Sequence, residues 1–171
     1  MLINTWKRND LLKQAVAHYA ACSMTDAIHV VWSESDPPPD ILEACLRNMV
    51  LSSATTRKPS FRFELNEEDN LNNRFKPIKD PKNDAIFSID DDVLVPCTTL
   101  NNAFTVWRMA PDTMVGFVPR MHWLDKEVHS IPFICWIHSF RLFRYVSLIR
   151  TCWIMILMAI HKMKKKLASN Q

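Results

Sequence analysis

The chain has 171 residues, room for one domain of ordinary size, and 48% hydrophobic against 23% charged residues excludes a disordered or collagen-like chain. Gly116 is its sole glycine, so neither a P-loop nor a glycine-rich dinucleotide fingerprint can be written. The net charge of +3 is unevenly spread: residues 1–128 hold 14 Lys and Arg against 18 Asp and Glu, a net −4, whereas residues 129–171 hold 7 Lys and Arg and no acid. Such a split marks a tail with its own partner and gives no argument for nucleic acid.

Leu2–Ile3 is a short apolar start that suits a strand. Asn9 or Asp10 can cap a helix to about Ala21, with Leu12, Val16 and Tyr19 on one face. Ile28–Trp32 is a β-rich apolar strand, and Pro37-Pro38-Pro39 breaks the chain after it. A second helix is expected from Asp40 to Val50, with Ile41, Leu42, Cys45, Leu46 and Met49 at helical spacing. Ser52–Ser60 reads as a polar loop, Phe61–Leu65 as a half-buried strand and Leu71–Ile78 as a helix. Ala85–Ile89 is a nearly continuous apolar run, which suits a central parallel strand. Thr98 or Thr99 can cap a helix to Met109, and Met114–Val118 is a further strand. This alternation predicts an α/β layered sheet.

The five cysteines, Cys22, Cys45, Cys97, Cys135 and Cys152, are odd in number and lack C-x-x-C spacing. Buried free thiols are therefore expected, rather than a zinc site or a full disulfide framework. The polar Asn4-Thr5 follows Met1 too closely for a secretory signal, so no N-terminal anchor is expected in this chain.

Asp90-Asp91-Asp92 is the strongest chemical signal. Three adjacent carboxylates repel, and a hard divalent cation such as Mg²⁺ or Mn²⁺ removes that cost. The triplet follows a strand, and ligands of open α/β sheets gather at the carboxyl ends of strands. A metal there could bridge to a diphosphate and neutralise a phosphate leaving group. The plainer reading is a solvated acidic turn. Arg8 and Arg74 can grip phosphate or a base by forked hydrogen bonds, or can be ordinary surface arginines. Trp6 and Trp32 follow strand ends and can stack on a sugar or base, or simply fill the core. His18 and His29 lie within apolar patterns and read as satisfied core or surface histidines.

Taken together, these segments resemble glycosyltransferase family 64, the exostosin type. The resemblance rests on Asn4-Thr5-Trp6-Lys7-Arg8-Asn9-Asp10-Leu11-Leu12, Val30-Val31-Trp32, Asn72-Asn73-Arg74-Phe75, Ser88-Ile89-Asp90-Asp91-Asp92 and Phe104-Thr105-Val106-Trp107. Ala110 to Arg120 is similar to plant-type members in particular, and the match in order and spacing runs over about residues 2–124. The resemblance implies a GT-A, Rossmann-like fold, a D-x-D motif, Mn²⁺ (or Mg²⁺), a nucleotide-sugar donor and retention at the anomeric carbon. It implies a donor of the GDP-mannose or UDP-N-acetylhexosamine type, a glycan or glycolipid acceptor, and a Golgi or endomembrane location. Carried over by position, Asn4 and Arg8 would contact the nucleotide. Ser33 and Asp69 fall where animal relatives carry Asn. Arg74 would lie beside the diphosphate, Asp90 and Asp91 would face ribose and sugar, and Asp92 would ligate the metal. The family's catalytic acid belongs to a C-terminal half that finds no match in this sequence.

Residues 1–127 are thus expected to form the family-like domain, and 128–171 a divergent tail. From Ile131 to Ile160, 22 of 30 residues are apolar, and Lys162, Lys164, Lys165 and Lys166 follow. The tail reads as an apolar helix that can associate with a membrane. Its apolar stretch without charge, Thr151–Ile160, has 10 residues, where a span needs about 20. The alternative function is a non-catalytic, membrane-associated fragment of such an enzyme.

Overall fold

The structure, a computed structural model, describes residues 1–78, 83, 85–111, 113–116, 138–139 and 156–159. Strand β1 (Leu2–Thr5) leads through helix α1 (Asn9–Ala20) to β2 (Ala27–Trp32), and α2 (Asp40–Leu51) leads to β3 (Ser60–Leu65). A 3-10 turn (Leu71–Phe75) precedes β4 (Ala85–Asp90), which is followed by α3 (Cys97–Met109). Short strands β5 (Thr113–Met114), β6 (His138–Ser139) and β7 (Ile156–Ala159) complete the described elements.

The main sheet has the order β3-β2-β1-β4-β7. Its first four strands are parallel, and β7 runs antiparallel against β4. β5 and β6 form a separate antiparallel pair. The chain steps from β1 outward to β2 and β3, then returns to place β4 on the other side of β1. The strand order therefore reverses between β1 and β4, and open α/β sheets bind ligands in the crevice at such a point.

The alternation of side chains along each strand sorts the sheet's two faces. Ile3, Ile28, Val30, Trp32, Phe87 and Ile89 pack with the apolar stripes of α1, α2 and α3 in the main core. Leu2, Val31 and Ile86 form a smaller cluster on the opposite face with Ile78 beside them. Trp32 is buried, and its indole N–H donates to the Asp36 carbonyl at 2.8 Å, so it fills the core rather than presenting a stacking surface.

Several local expectations need correction. Neither Asn9 nor Asp10 caps α1: its N-cap is Arg8, with no side-chain cap bond. Thr98 and Thr99 lie inside α3, whose N-cap is Pro96, just as Pro39 precedes α2. Proline's fixed φ sets the extended entry in both cases. The expected helix at Leu71–Ile78 is only a 3-10 turn, because Asn70 caps it through Asn72 N–H and Lys76, before Pro77, is already extended. Cys22 and Cys97 are joined in a disulfide rather than free, and Cys45 remains a thiol. Cys135 and Cys152 lie outside the described residues.

The expected helical tail is not seen where the tail is described: His138–Ser139 and Ile156–Ala159 are strands. An apolar run satisfies its backbone equally well in a sheet, and the free edge of β4 offers that pairing. The other tail residues, with 117–118 of the expected strand at Met114–Val118, lie outside the described residues. Among those described, no helix is long and apolar enough to cross a membrane.

Candidate functional site

The site is built where β1, β2 and β4 end. Between β1 and α1 the chain turns through Trp6, Lys7 and Arg8. Lys7 adopts φ 54, the left-handed region that disfavours a residue with a Cβ. Its N–H donates to Glu34 Oε1 at 2.8 Å, which holds the turn against the end of β2. Trp6 is 46% exposed, and the Lys7 ammonium sits 4.8 Å from its ring centre. Its ring is partly exposed, with Lys7 over one face, unlike the buried ring of Trp32.

The turn aims Arg8 at the acidic triplet. Arg8 Nη2 lies 2.5 Å from Asp91 Oδ1, and Nη1 lies 2.8 Å from Asp92 Oδ2. The contact to Asp91 is an ion pair off the hydrogen-bonding direction, since that oxygen gains no aligned donor among the described residues. The other Asp91 oxygen accepts from Thr5 Oγ1 at 2.6 Å. Asp91 N–H donates to the Asn4 carbonyl, so β1 continues to grip β4 one residue past its end. Asp91 is buried, and that burial pushes its carboxyl above the ordinary value. The Thr5 hydrogen bond and the Arg8 charge oppose the shift, while Asp92 and Asp90 add to it.

Asp90 faces a different arginine. Its Oδ1 lies 2.5 Å from Arg74 Nη2, and the two side chains are only 12% and 9% exposed. Arg74 comes from the 3-10 turn, which is anchored by Asn73. The Asn73 amide donates to Ser33 Oγ at 2.9 Å and to the Glu68 carbonyl at 2.7 Å. Ser33, just past β2, is thereby buried under this turn rather than open. Asn4 pairs in register with Asp90, and its Oδ1 is buried without a partner among the described residues.

The structure therefore brings Arg8, Arg74, Asp90, Asp91 and Asp92 into one ion-paired cluster, with Asn4 and Ser33 beneath it. It does not bring Asp69 into that cluster: Asp69 is exposed on the loop before the turn, with no hydrogen bond or ion pair among the described residues. The expected role of Arg8 and Arg74 as ligand-binding groups gains a second side, since both already neutralise carboxylates here. Two residues around the cluster, Thr5 and Asn73, carry no sequence signal of their own. Both bury polar groups, a feature visible only once burial is known.

The donor set fits a hard divalent cation. It is made of carboxylate oxygens, and three carboxylates against two guanidinium groups leave a net negative charge. The carboxylates diverge, with Asp90 turned to Arg74, Asp91 inward to Thr5, and Asp92 the most exposed. Asp92 is thus the residue able to reach a cation, while Asp91 serves the fold. The other metal-type grouping, His18 with Cys22 and Cys97, has two of its three members in the disulfide.

The glycosyl transferase family 64 domain matches this sequence over residues 1–167. The chain belongs to family 64. The protein named Glycosylinositol phosphorylceramide mannosyl transferase 1 from Arabidopsis thaliana is 57% identical over 128 residues, 74% of this chain and 38% of that relative. Glucosamine inositolphosphorylceramide transferase 1 of the same plant is 36% identical over 109 residues, 64% of this chain and 13% of that protein. Exostosin-like 2 from Homo sapiens is 30% identical over 123 residues, covering 71% of this chain and 35% of the human protein. The family 64 chain thus spans well under two thirds of the relatives it matches. Resemblance to plant-type members, expected from Ala110–Arg120 and the other motifs, agrees with the 57% identity to the Arabidopsis mannosyl transferase.

Proposed function

We propose that this chain carries the nucleotide-sugar-binding part of a metal-dependent, retaining glycosyltransferase of GT-A type. The single observation that carries this reading is the cluster of Arg8, Arg74 and Asp90–Asp92 at the point where strand order reverses. That crevice presents both cationic forks for a diphosphate and an oxygen donor for a cation. The mannosyl transferase at 57% identity favours a GDP-mannose donor and a glycosylinositol phosphorylceramide acceptor over a UDP-N-acetylhexosamine donor.

In this reading Asp92 holds Mn²⁺ or Mg²⁺, and the bound ion supplies charge neutralisation at the diphosphate leaving group. Arg8 and Arg74 exchange part of their carboxylate pairing for the diphosphate oxygens. Asn4 offers its unpartnered Oδ1 to a donor on the nucleotide, and Trp6 offers a face for stacking. Asp90 borders the ribose, and Asp91, expected to face the sugar, is buried and held by Thr5, so it supports that subsite from within. Ser33 supports the site through Asn73, and Asp69, on the loop before the 3-10 turn, stays outside the cluster. The donor-site residues named here all lie within residues 1–127. No residue here is assigned as the catalytic acid. An endomembrane, Golgi-type location suits the family reading, and a Cys22–Cys97 disulfide fits an oxidising compartment.

Calorimetric titration with GDP and UDP, each with and without Mn²⁺, tests the proposal. Saturable binding of one nucleotide that needs Mn²⁺ is expected. Binding of neither by a folded sample would sink it.

A further inference from the structure

The segment that leaves the acidic triplet, Val93–Cys97, has little regular structure of its own, yet it is held tightly. The Tyr19 hydroxyl donates to the Val93 carbonyl at 3.0 Å and accepts from Val95 N–H at 3.0 Å. Tyr19 is buried, and its bond from Val95 N–H is shielded from water. His18 Nε2 meets the Val95 carbonyl at 2.7 Å. Cys22, just past the end of α1, is bonded to Cys97 at the start of α3. All three ties come from a single stretch at the end of α1, 74 to 77 residues away in sequence.

The opposite end of α1 begins at Arg8, which grips Asp91 and Asp92. One rigid helix thus holds the acidic triplet at its front and the following loop at its back. Asp92 is the exposed carboxylate between these holds. Asp92 lies inside the turn that Val93 N–H closes on the Asp90 carbonyl. The position of Asp92 therefore depends on where Val93–Val95 is pinned. A core role alone would be met by the ring; the doubly bonded hydroxyl adds a fixed distance between α1 and this loop.

We propose that Tyr19 is a positioning residue for the cation and diphosphate site, using its hydroxyl, with His18 and the Cys22–Cys97 disulfide beside it, to fix the loop that places Asp92. This inference rests on the reading of the cluster as a nucleotide-sugar site.

Tyr19→Phe keeps the ring and removes only the clamp, and Leu46→Ala, in α2 away from the loop, serves as a control that loses stability for an unrelated reason. The 171-residue chain and both variants are titrated with GDP and with UDP in the presence of Mn²⁺, and Mn²⁺ binding alone is followed by electron paramagnetic resonance. Hydrogen exchange is measured in parallel. Loss of the paired hydrogen bonds is expected to weaken Mn²⁺ and Mn²⁺–nucleotide binding about fivefold to tenfold. Exchange at the Asp91–Val95 amides is expected to rise selectively. Leu46→Ala is expected to lower the unfolding midpoint at least as far while binding as the unsubstituted chain does. Unchanged binding in Tyr19→Phe, or equal losses in both variants, would overturn the positioning role alone. Absence of Mn²⁺-dependent binding in the unsubstituted chain would overturn the site reading and the proposal together.

Discussion

Replacing Arg74 with Ala should destabilise the fold as well as remove a ligand group. The Arg74–Asp90 contact is 2.5 Å, with side chains only 9% and 12% exposed. Removing one member of such a pair strands the other charge in a poorly solvated place, which costs about 3–5 kcal/mol when burial is complete. The residual exposure puts Arg74→Ala near the lower limit, about 3 kcal/mol. For a chain of this length, that lowers the thermal midpoint by roughly 6–12 °C. Asp90→Asn in the same chain removes the stranded charge, so the double variant should lose less than the sum of the two single changes. Urea unfolding followed by circular dichroism, arranged as a double-mutant cycle, gives the coupling. A coupling above about 1 kcal/mol is expected. Additive losses, or an Arg74→Ala cost near that of an exposed pair, would refute the argument that the pair is effectively buried.

Other outcomes follow from the same geometry. Asp92→Asn removes one half-exposed ion pair with Arg8, so it should cost no more than about 1 kcal/mol while abolishing Mn²⁺-dependent nucleotide binding in calorimetry. Burial pushes the Tyr19 hydroxyl up to about 12 from the usual 10. The folded state holds that proton longer than the unfolded state, so stability is intact below pH 10 and falls as pH rises toward 12. Phenolate absorbance should show this late titration, and Tyr19→Phe should lack it. Reducing the Cys22–Cys97 bond frees a loop closed over 75 residues. On the chain-entropy account this lowers stability by up to about 4.5 kcal/mol, which unfolding with and without a dithiol will read.

Much of the scaffold was legible because its signals are local. The periodic apolar faces of Asn9–Ala20 and Asp40–Leu51 have one way to be buried, and the β-rich runs at Ala27–Trp32 and Ala85–Asp90 alternate with them. Helix starts are less legible, because Pro96 sets the entry geometry of α3 where Thr98 and Thr99 offer caps. The tail is ambiguous for a related reason. A run as apolar as Ile154–Ile160 carries no period, so helix and strand could not be separated until β4 supplied an edge for Ile156–Ala159. Cysteine spacing was equally silent on Cys22 and Cys97, whose Cα atoms come within 5.4 Å only after α1 and α3 pack.

By itself the sequence determined the alternating α/β layers and the acidic triplet at the end of a strand. These depend on residue type and short spacing, which survive without a fold. Tertiary structure decided how the charges are shared. It sent Asp90 to Arg74, turned Asp91 inward to Thr5, and left Asp92 as the carboxylate facing out. It also made Tyr19 a clamp rather than a filler. Pairing across 74 or more residues is set by strand order and helix packing, and no local pattern encodes which buried hydroxyl will meet which carbonyl.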